Sequence, residues 1–493
     1  MEWNREQRYR RWEDALEAEQ MQLVTMVNQC SWRQSFHIQP VTGLLNDPNG
    51  FAYYNGEYHL FYQWFPLGPV HGLKNWFHTK SKDLIHWENV GVAIEPTTEF
   101  DSHGVYSGSG VEHDGQLYFM YTGNSRNERW IRTPYQCLAF MNEKGQIQKH
   151  EKPVIANVPE GYTDHYRDPK VWKHGSEFFA VIGAQRSNET GTIILYRSSD
   201  LTQWNLEGEL EIGFKDFGYM WECPDYFEVD GHGILLFCPQ GINSEGDCYQ
   251  NIYQSGYVLG DKLNIQERTL VHTGFQELDR GFDFYAPQTM EAPDGRRILI
   301  GWMGLPEIEY PTDKNGWAHC LTLPRELTVR NGKLRQSPVQ ELERLRGNKA
   351  EAHLLIENET RQVEKFAGEV YELSVEFSNF TAEQFGVELR AGDQNKTILK
   401  YDTLVKKVIL DRSESGELAG IQYGTVRQCP MASETIHFRI FVDVSSVEVF
   451  VNDGEEVFTA RIFPDENSQA IRFFAQNGKS EVKAVKYELN SDC

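Results

Sequence analysis

At 493 residues the chain exceeds what one ordinary core accommodates, and its 40% hydrophobic and 13% aromatic content is that of a globular protein, so two domains are expected. The formal charge of −24, from 48 basic and 72 acidic residues, excludes general binding to nucleic acid or to anionic membranes, because phosphate surfaces would repel it. There is no apolar run of about 18 residues for a membrane span and no apolar stretch in the charged N-terminus for a signal peptide. The eight cysteines show neither a CxxC nor paired spacing with histidine, so the reading is a cytoplasmic chain with reduced thiols and no metal site.

Residues 3–28 are dense in Glu, Arg, Gln, Leu and Met and contain no Gly or Pro, which predicts one amphipathic helix lying outside the main fold as a packing or capping element. Domain 1–35 is therefore an N-terminal helical extension. Beyond Phe36 the pattern changes to short strands, and a turn glycine followed by an apolar strand recurs at positions 56, 115, 175, 233 and 295, with separations of 59, 60, 58 and 62. Units of near-equal length with room for four strands each predict a radial repeat, a five-bladed β-propeller over 36–345. A second repeat, Ser81-Lys82-Asp83-Leu84-Ile85-His86-Trp87 and Ser198-Ser199-Asp200-Leu201-Thr202-Gln203-Trp204, falls at matching places in two units and is read as packing.

Three acids stand at comparable places before the repeat glycines, each followed by a proline near the start of a strand: Asp47, Asp168 and Glu222. Asp47 is read as held in a tight Asp47-Pro48-Asn49-Gly50 turn just before a strand from Phe51 to Tyr54. Tyr106-Ser107-Gly108-Ser109 and Tyr285-Ala286-Pro287-Gln288 occupy the equivalent places in the second and fifth units. If these strands are innermost in their blades, the groups converge at one end of a central channel. Residues 346–493 read as a β-sandwich of short antiparallel strands with a hairpin turn at Asn452-Asp453-Gly454, in which Asp443 and Glu448 are surface or turn carboxylates.

Three carboxylates among Trp64, Trp76, Phe77, Tyr106, Tyr285 and Trp302 suit glycoside hydrolysis, which needs an ionised and a protonated carboxyl flanking the bond and aromatic faces for the sugar. Asp47 in a polar turn stays ionised as a nucleophile. Glu222 in an apolar context is a general acid, and Asp168, held ionised by Arg167, supports the cationic transition state. Spacing alone leaves retention and inversion both open.

The ordered series Asn46-Asp47-Pro48-Asn49-Gly50, Phe61-Tyr62-Gln63, Tyr106-Ser107-Gly108-Ser109, Tyr166-Arg167-Asp168-Pro169, Trp221-Glu222-Cys223-Pro224-Asp225, Asp283-Phe284-Tyr285-Ala286-Pro287-Gln288 and Leu323-Pro324-Arg325-Glu326 resembles the motifs of the family 32 glycoside hydrolases. That family contains invertases, sucrose-6-phosphate hydrolases and fructan hydrolases. The resemblance implies an all-β fold of five-bladed propeller plus sandwich and a retaining, cofactor-free mechanism, with Asp47 as nucleophile, Glu222 as acid/base and Asp168 as transition-state stabiliser. It also implies a substrate-binding set of Leu44, Leu45, Asn46, Gln63, His71, Lys74, Trp76, Tyr106, Ser107, Arg167, Tyr285 and Trp302. The start Met1-Glu2-Trp3, Gly218-Tyr219-Met220-Trp221 and His71-Gly72-Leu73-Lys74 are similar to the bacterial sucrose-6-phosphate hydrolases of the family, so Lys74 and His71 become candidates for the positive charge a sugar phosphate needs. Phe77, where the family usually has glycine, puts the shape of the aglycone side in question. The competing expectations are an enzyme for unphosphorylated sucrose or short fructooligosaccharides, and a noncatalytic carbohydrate-binding propeller. The latter would be expected to have lost an acid. The expected partner is a small sugar or sugar phosphate, and the oligomeric state is not legible.

Overall fold

The computed structural model describes residues 3–490; Met1, Glu2, Ser491, Asp492 and Cys493 lie outside the described residues. The five units expected from the glycine repeat are present as five antiparallel sheets whose first strands are Gly43–Tyr54, Val105–His113, Tyr162–His174, Met220–Val229 and Tyr285–Glu291. These strands are innermost and are tied to one another by side chains. Asn49 accepts from Gly108 N at 2.9 Å, Ser109 donates to Pro169 O and accepts from Val171 N, and Gln288 spans from Phe51 N to Gly108 O. The ring closes where Trp317–Ala318, from the last blade's connection, pairs in parallel with Gly43 and Leu44 of the first. The Ser-x-Asp-Leu repeats lock their own turns: Trp87 Nε1 donates to Leu84 O and Trp204 Nε1 to Leu201 O, each at 2.8 Å.

The expected N-terminal helix is broken into Arg5–Arg8, the single turn Trp12–Asp14 and Glu17–Asn28. The first piece is closed by a capping box between Asn4 and Gln7, and the chain is extended at Arg11, Ala15 and Leu16. Those breaks let rings pack on the propeller: Trp3 edge-on to Phe65, Tyr9 to Trp130, and Trp12 beside Trp64. Burial of three aromatic faces outweighs the few tenths of a kcal/mol per residue that helix continuation offers. The segment is thus part of the propeller's rim.

The C-terminal domain is a sandwich whose two layers share Arg346–Ala367 and Ala470–Leu489. The latter strand pairs with Gln384–Ala391 through its first part and with Tyr371–Ser378 through its second, bending between them where Asn477 and Gly478 have positive φ. Asp443 and Glu448 are not surface carboxylates. Both are fully buried against the propeller, with His37 Nδ1 2.7 Å from Asp443 and Nε2 2.9 Å from Glu448. Arg325, also fully buried, completes the network by donating to Glu448 at 2.6 Å and to Asp279 at 3.1 Å. Their partners lie more than a hundred residues away, so local composition could not reveal the pairing. Among the described residues no helix is long and apolar enough to cross a membrane, and the seven cysteines described are free.

Candidate active site

Asp47 does not sit in a turn. It lies inside the continuous strand Gly43–Tyr54, at a bulge between Leu45 and Pro48, with a second irregularity at Asn49–Ala52 where Gly50 has a φ of +55°. The same device recurs at the equivalent place in every inner strand: Val105–Gly108, Arg167–Lys170, Glu222–Asp225 and Tyr285–Gln288 all carry register shifts. A bulge inserts an unpaired residue and re-aims its neighbours' side chains. Three of the five place a non-glycine residue at positive φ, namely Asp168 (67°), Cys223 (49°) and Ala286 (44°), so this ring carries backbone strain. Prolines 48, 169, 224 and 287 follow and line a narrow void below, which the inter-strand ties leave almost closed. The ring of bulges is the floor of a funnel.

On that floor Asp47 accepts from Asn46 Nδ2 at 3.1 Å and from the Ser107 hydroxyl in a very short contact. Asn46 donates to Gln63 at 2.6 Å, and Gln63 donates to Ser107 at 2.8 Å, closing a circle of side chains around the carboxylate. Lys74 Nζ donates to Asn46 Oδ1 at 2.6 Å and is 3% exposed. It is therefore neither a solvated loop lysine nor a cation open to a phosphate at the mouth. Burial pulls its pKa down to about 7, against the pull of Asp47. His71, edge-on to Trp302, is held neutral by burial and by nearby Lys74 and Arg8, and its backbone carbonyl accepts from Arg8 at 2.9 Å.

Asp168 accepts from Cys223 N at 3.0 Å, and its own N–H donates to Thr122. The Cys223 thiol spans 3.6 Å to Asp47 and 3.7 Å to Asp168, which puts it between the two acids. Arg167 turns toward Glu222, donating from Nε at 3.0 Å and Nη2 at 2.6 Å, and is 3.9 Å from Asp168. Glu222 also accepts from Tyr285 Oη at 2.6 Å and Gln240 Nε2 at 2.7 Å. The expectation that Arg167 keeps Asp168 ionised is thus corrected: burial, with Glu222 and Asp47 adding to it, outweighs Arg167 and raises Asp168 to about 7. Burial also raises Asp47, opposed mainly by the Ser107 hydrogen bond. Burial and mutual repulsion thus act in the same direction on Asp47 and Asp168, against ionisation.

Of the aromatic residues expected at the mouth, Tyr285 and Tyr106 lie at the ring, and Trp302 packs beside Tyr285 with a buried Nε1–H that lacks a partner among the described residues. Trp76 is fully buried between the first two blades and donates to Tyr106 O, Trp64 donates to Thr42 O, and Phe77 stacks on Tyr62 inside the core. Phe77 therefore has no bearing on the aglycone side. Leu44 and Leu45 are buried, Leu45 in the apolar cluster that includes Tyr285 and Trp302, and neither contributes a polar contact. Sequence reasoning missed Gln240 and Thr122, which brace Glu222 and Asp168. They stand on second strands of blades, outside the motifs.

Comparison with known proteins settles the ancestry. Residues 37–338 match the glycosyl hydrolases family 32 N-terminal domain and residues 341–489 the family 32 C-terminal domain. The chain belongs to glycosyl hydrolase family 32. It is 48% identical over 491 residues to the sucrose-6-phosphate hydrolase of Staphylococcus xylosus, covering 100% of this chain and 99% of that one. Among solved structures, this family-32 chain is similar to sucrose-6-phosphate hydrolase from Lactobacillus gasseri, with a TM-score of 0.93 at 39% identity over 99% of this chain and 100% of that one. It is also similar to the GH32 beta-fructofuranosidase of Bombyx mori, with a TM-score of 0.82 at 33% identity over 97% and 99% of the two chains.

Proposed function

We propose that the chain is a retaining β-fructofuranosidase of sucrose catabolism that hydrolyses sucrose 6-phosphate to glucose 6-phosphate and fructose, and sucrose more slowly, in the cytoplasm. The observation that carries the reading is the full-length similarity to sucrose-6-phosphate hydrolases, joined to a funnel that retains all three acids and their supporting hydrogen bonds. A propeller kept only for binding would not need this crowding of buried carboxyls.

In this mechanism Asp47 attacks the anomeric carbon C2 of the fructosyl unit while Glu222 donates its proton to the bridging oxygen, so that the C2–O bond breaks and glucose 6-phosphate leaves. Ser107 and Asn46 orient the attacking carboxylate. Arg167, Tyr285 and Gln240 fix Glu222, and the role of Asp168 is to hold the sugar hydroxyls and support the cationic transition state. Glu222 then takes a proton from water, which attacks C2 and releases Asp47. The test is kcat/KM for sucrose 6-phosphate against sucrose. A clear preference for the phosphorylated sugar supports the reading, and equal values for the two would replace it with an invertase.

A further inference from the structure

With Lys74 on the funnel floor, the cation for a sugar phosphate must come from elsewhere, and the rim carries a candidate. Arg126 and Arg132 face each other across the hairpin of the second blade that ends at Trp130. Arg126 donates to Trp130 O at 2.9 Å and lies over the indole at 5.2 Å, while Arg5 of the N-terminal segment lies over the same ring at 4.0 Å. Tyr9 packs edge-on to Trp130 at 5.1 Å. Among the described residues none of these three arginines is ion-paired, and Nε of both Arg126 and Arg132 is buried without a partner. In a chain of net charge −24, three guanidinium groups at one place without an ion pair are a cost that a bound anion would reduce.

The cluster is continuous with the active site. Arg167, which holds Glu222, donates through Nη1 to His165 at 2.9 Å, and the charges of Arg167 and Arg132 help burial to lower His165 to about 4. The Tyr106 hydroxyl has Tyr9, Arg132, Arg126 and Arg167 as its charged or ionisable neighbours. Asp164, exposed on the adjoining strand, is the nearby opposing charge on Arg132. Outward from Glu222, the chain Arg167, His165, Arg132 and Arg126 thus leads from the acids into a region of positive charge.

We propose that Arg126 and Arg132, braced by Trp130, Arg5 and Tyr9, form the pocket for the phosphate monoester on the leaving sugar. Planar guanidinium groups suit bidentate recognition of phosphate, and Trp130 pre-organises them. The proposal rests on the sucrose 6-phosphate reading above, so the experiment must separate the two. The quantity is the ratio of kcat/KM for sucrose 6-phosphate to that for sucrose, in the wild-type chain, Arg132→Gln, Arg132→Lys and Arg126→Gln/Arg132→Gln. The expected ratio falls at least about 30-fold in the double variant, as loss of charge-assisted hydrogen bonds implies, and is partly kept in Arg132→Lys. A wild-type ratio near one overturns the functional reading itself. A high wild-type ratio that the double variant preserves overturns this site alone. Should the double variant not fold, Arg132→Gln alone is read by the same criterion, because its ratio compares two substrates on one preparation.

Discussion

The buried acids Asp443 and Glu448 at the seam and the acids of the funnel are treated in opposite ways. At the seam between propeller and sandwich, Asp443 and Glu448 are each met by His37, and Glu448 also by Arg325. Burial opposes their charge, but the His37 hydrogen bonds hold Asp443 below the usual range, and Arg325 with His37 does the same for Glu448. His37 in turn is raised to about 9, its two carboxylate partners outweighing burial. In the funnel there is one arginine for Asp168 and Glu222, and Asp47 and Asp168 are pushed up instead. A buried acid whose charge is satisfied holds structure. Asp47 and Asp168, whose charges are left in conflict, are perturbed acids of the kind that mark a site of chemistry.

That contrast can be broken at either end. Asp47→Asn should lower kcat by about four orders of magnitude or more with folding intact, as removal of a nucleophile does; circular dichroism, thermal melting and initial rates check it, and a well-folded variant of near-normal turnover would refute the assignment. His37→Ala should do the reverse: it leaves two buried carboxylates short of a partner and should cost about 3–5 kcal/mol of stability. Denaturant unfolding measures this, and a loss under about 1 kcal/mol would mean the seam is not the tight network described.

Lys74→Met, which removes the donor to Asn46, should reduce kcat/KM by about 10- to 100-fold through misplacement of the side chains around Asp47. The loss should be equal on sucrose and sucrose 6-phosphate, and a selective loss on the phosphorylated sugar would return Lys74 to a phosphate role. The smallest effect is the pH dependence of the seam. A group raised from 6.5 to about 9 on folding contributes stability that is fully present below pH 6.5 and is lost as the pH rises toward 9. Asp443 and Glu448, lowered on folding, act in the other direction: their contribution is present above the ordinary carboxylate range and is lost as acid protonates them. The difference in Tm between wild type and His37→Ala should therefore shrink between pH 6.5 and 9; a constant difference would show that His37 is not charged.

The blades and the three acids were legible because their signals are local: a glycine turn about every sixty residues, and an acid near a proline in three of the five inner strands. The bulges were not, since Asp47-Pro48-Asn49-Gly50 has the composition of a turn, and only pairing with Phe61–Trp64 shows it to be strand. The seam was misread for the same reason at longer range, as His37 and Glu448 are 411 residues apart. Lys74 was placed near the site, but its burial against Asn46 was not legible, because a sequence gives no depth. The N-terminal segment was read as a helix from composition, whereas Trp3, Tyr9 and Trp12 each answer to a ring on the propeller.

The central claim is that Asp47 forms a bond to fructose. The direct measurement is acid quenching of the enzyme during turnover of sucrose 6-phosphate, followed by proteolysis and mass spectrometry. The peptide bearing Asp47, and no other, should gain the mass of one fructosyl unit. An adduct on Asp168 or Glu222 would contradict it.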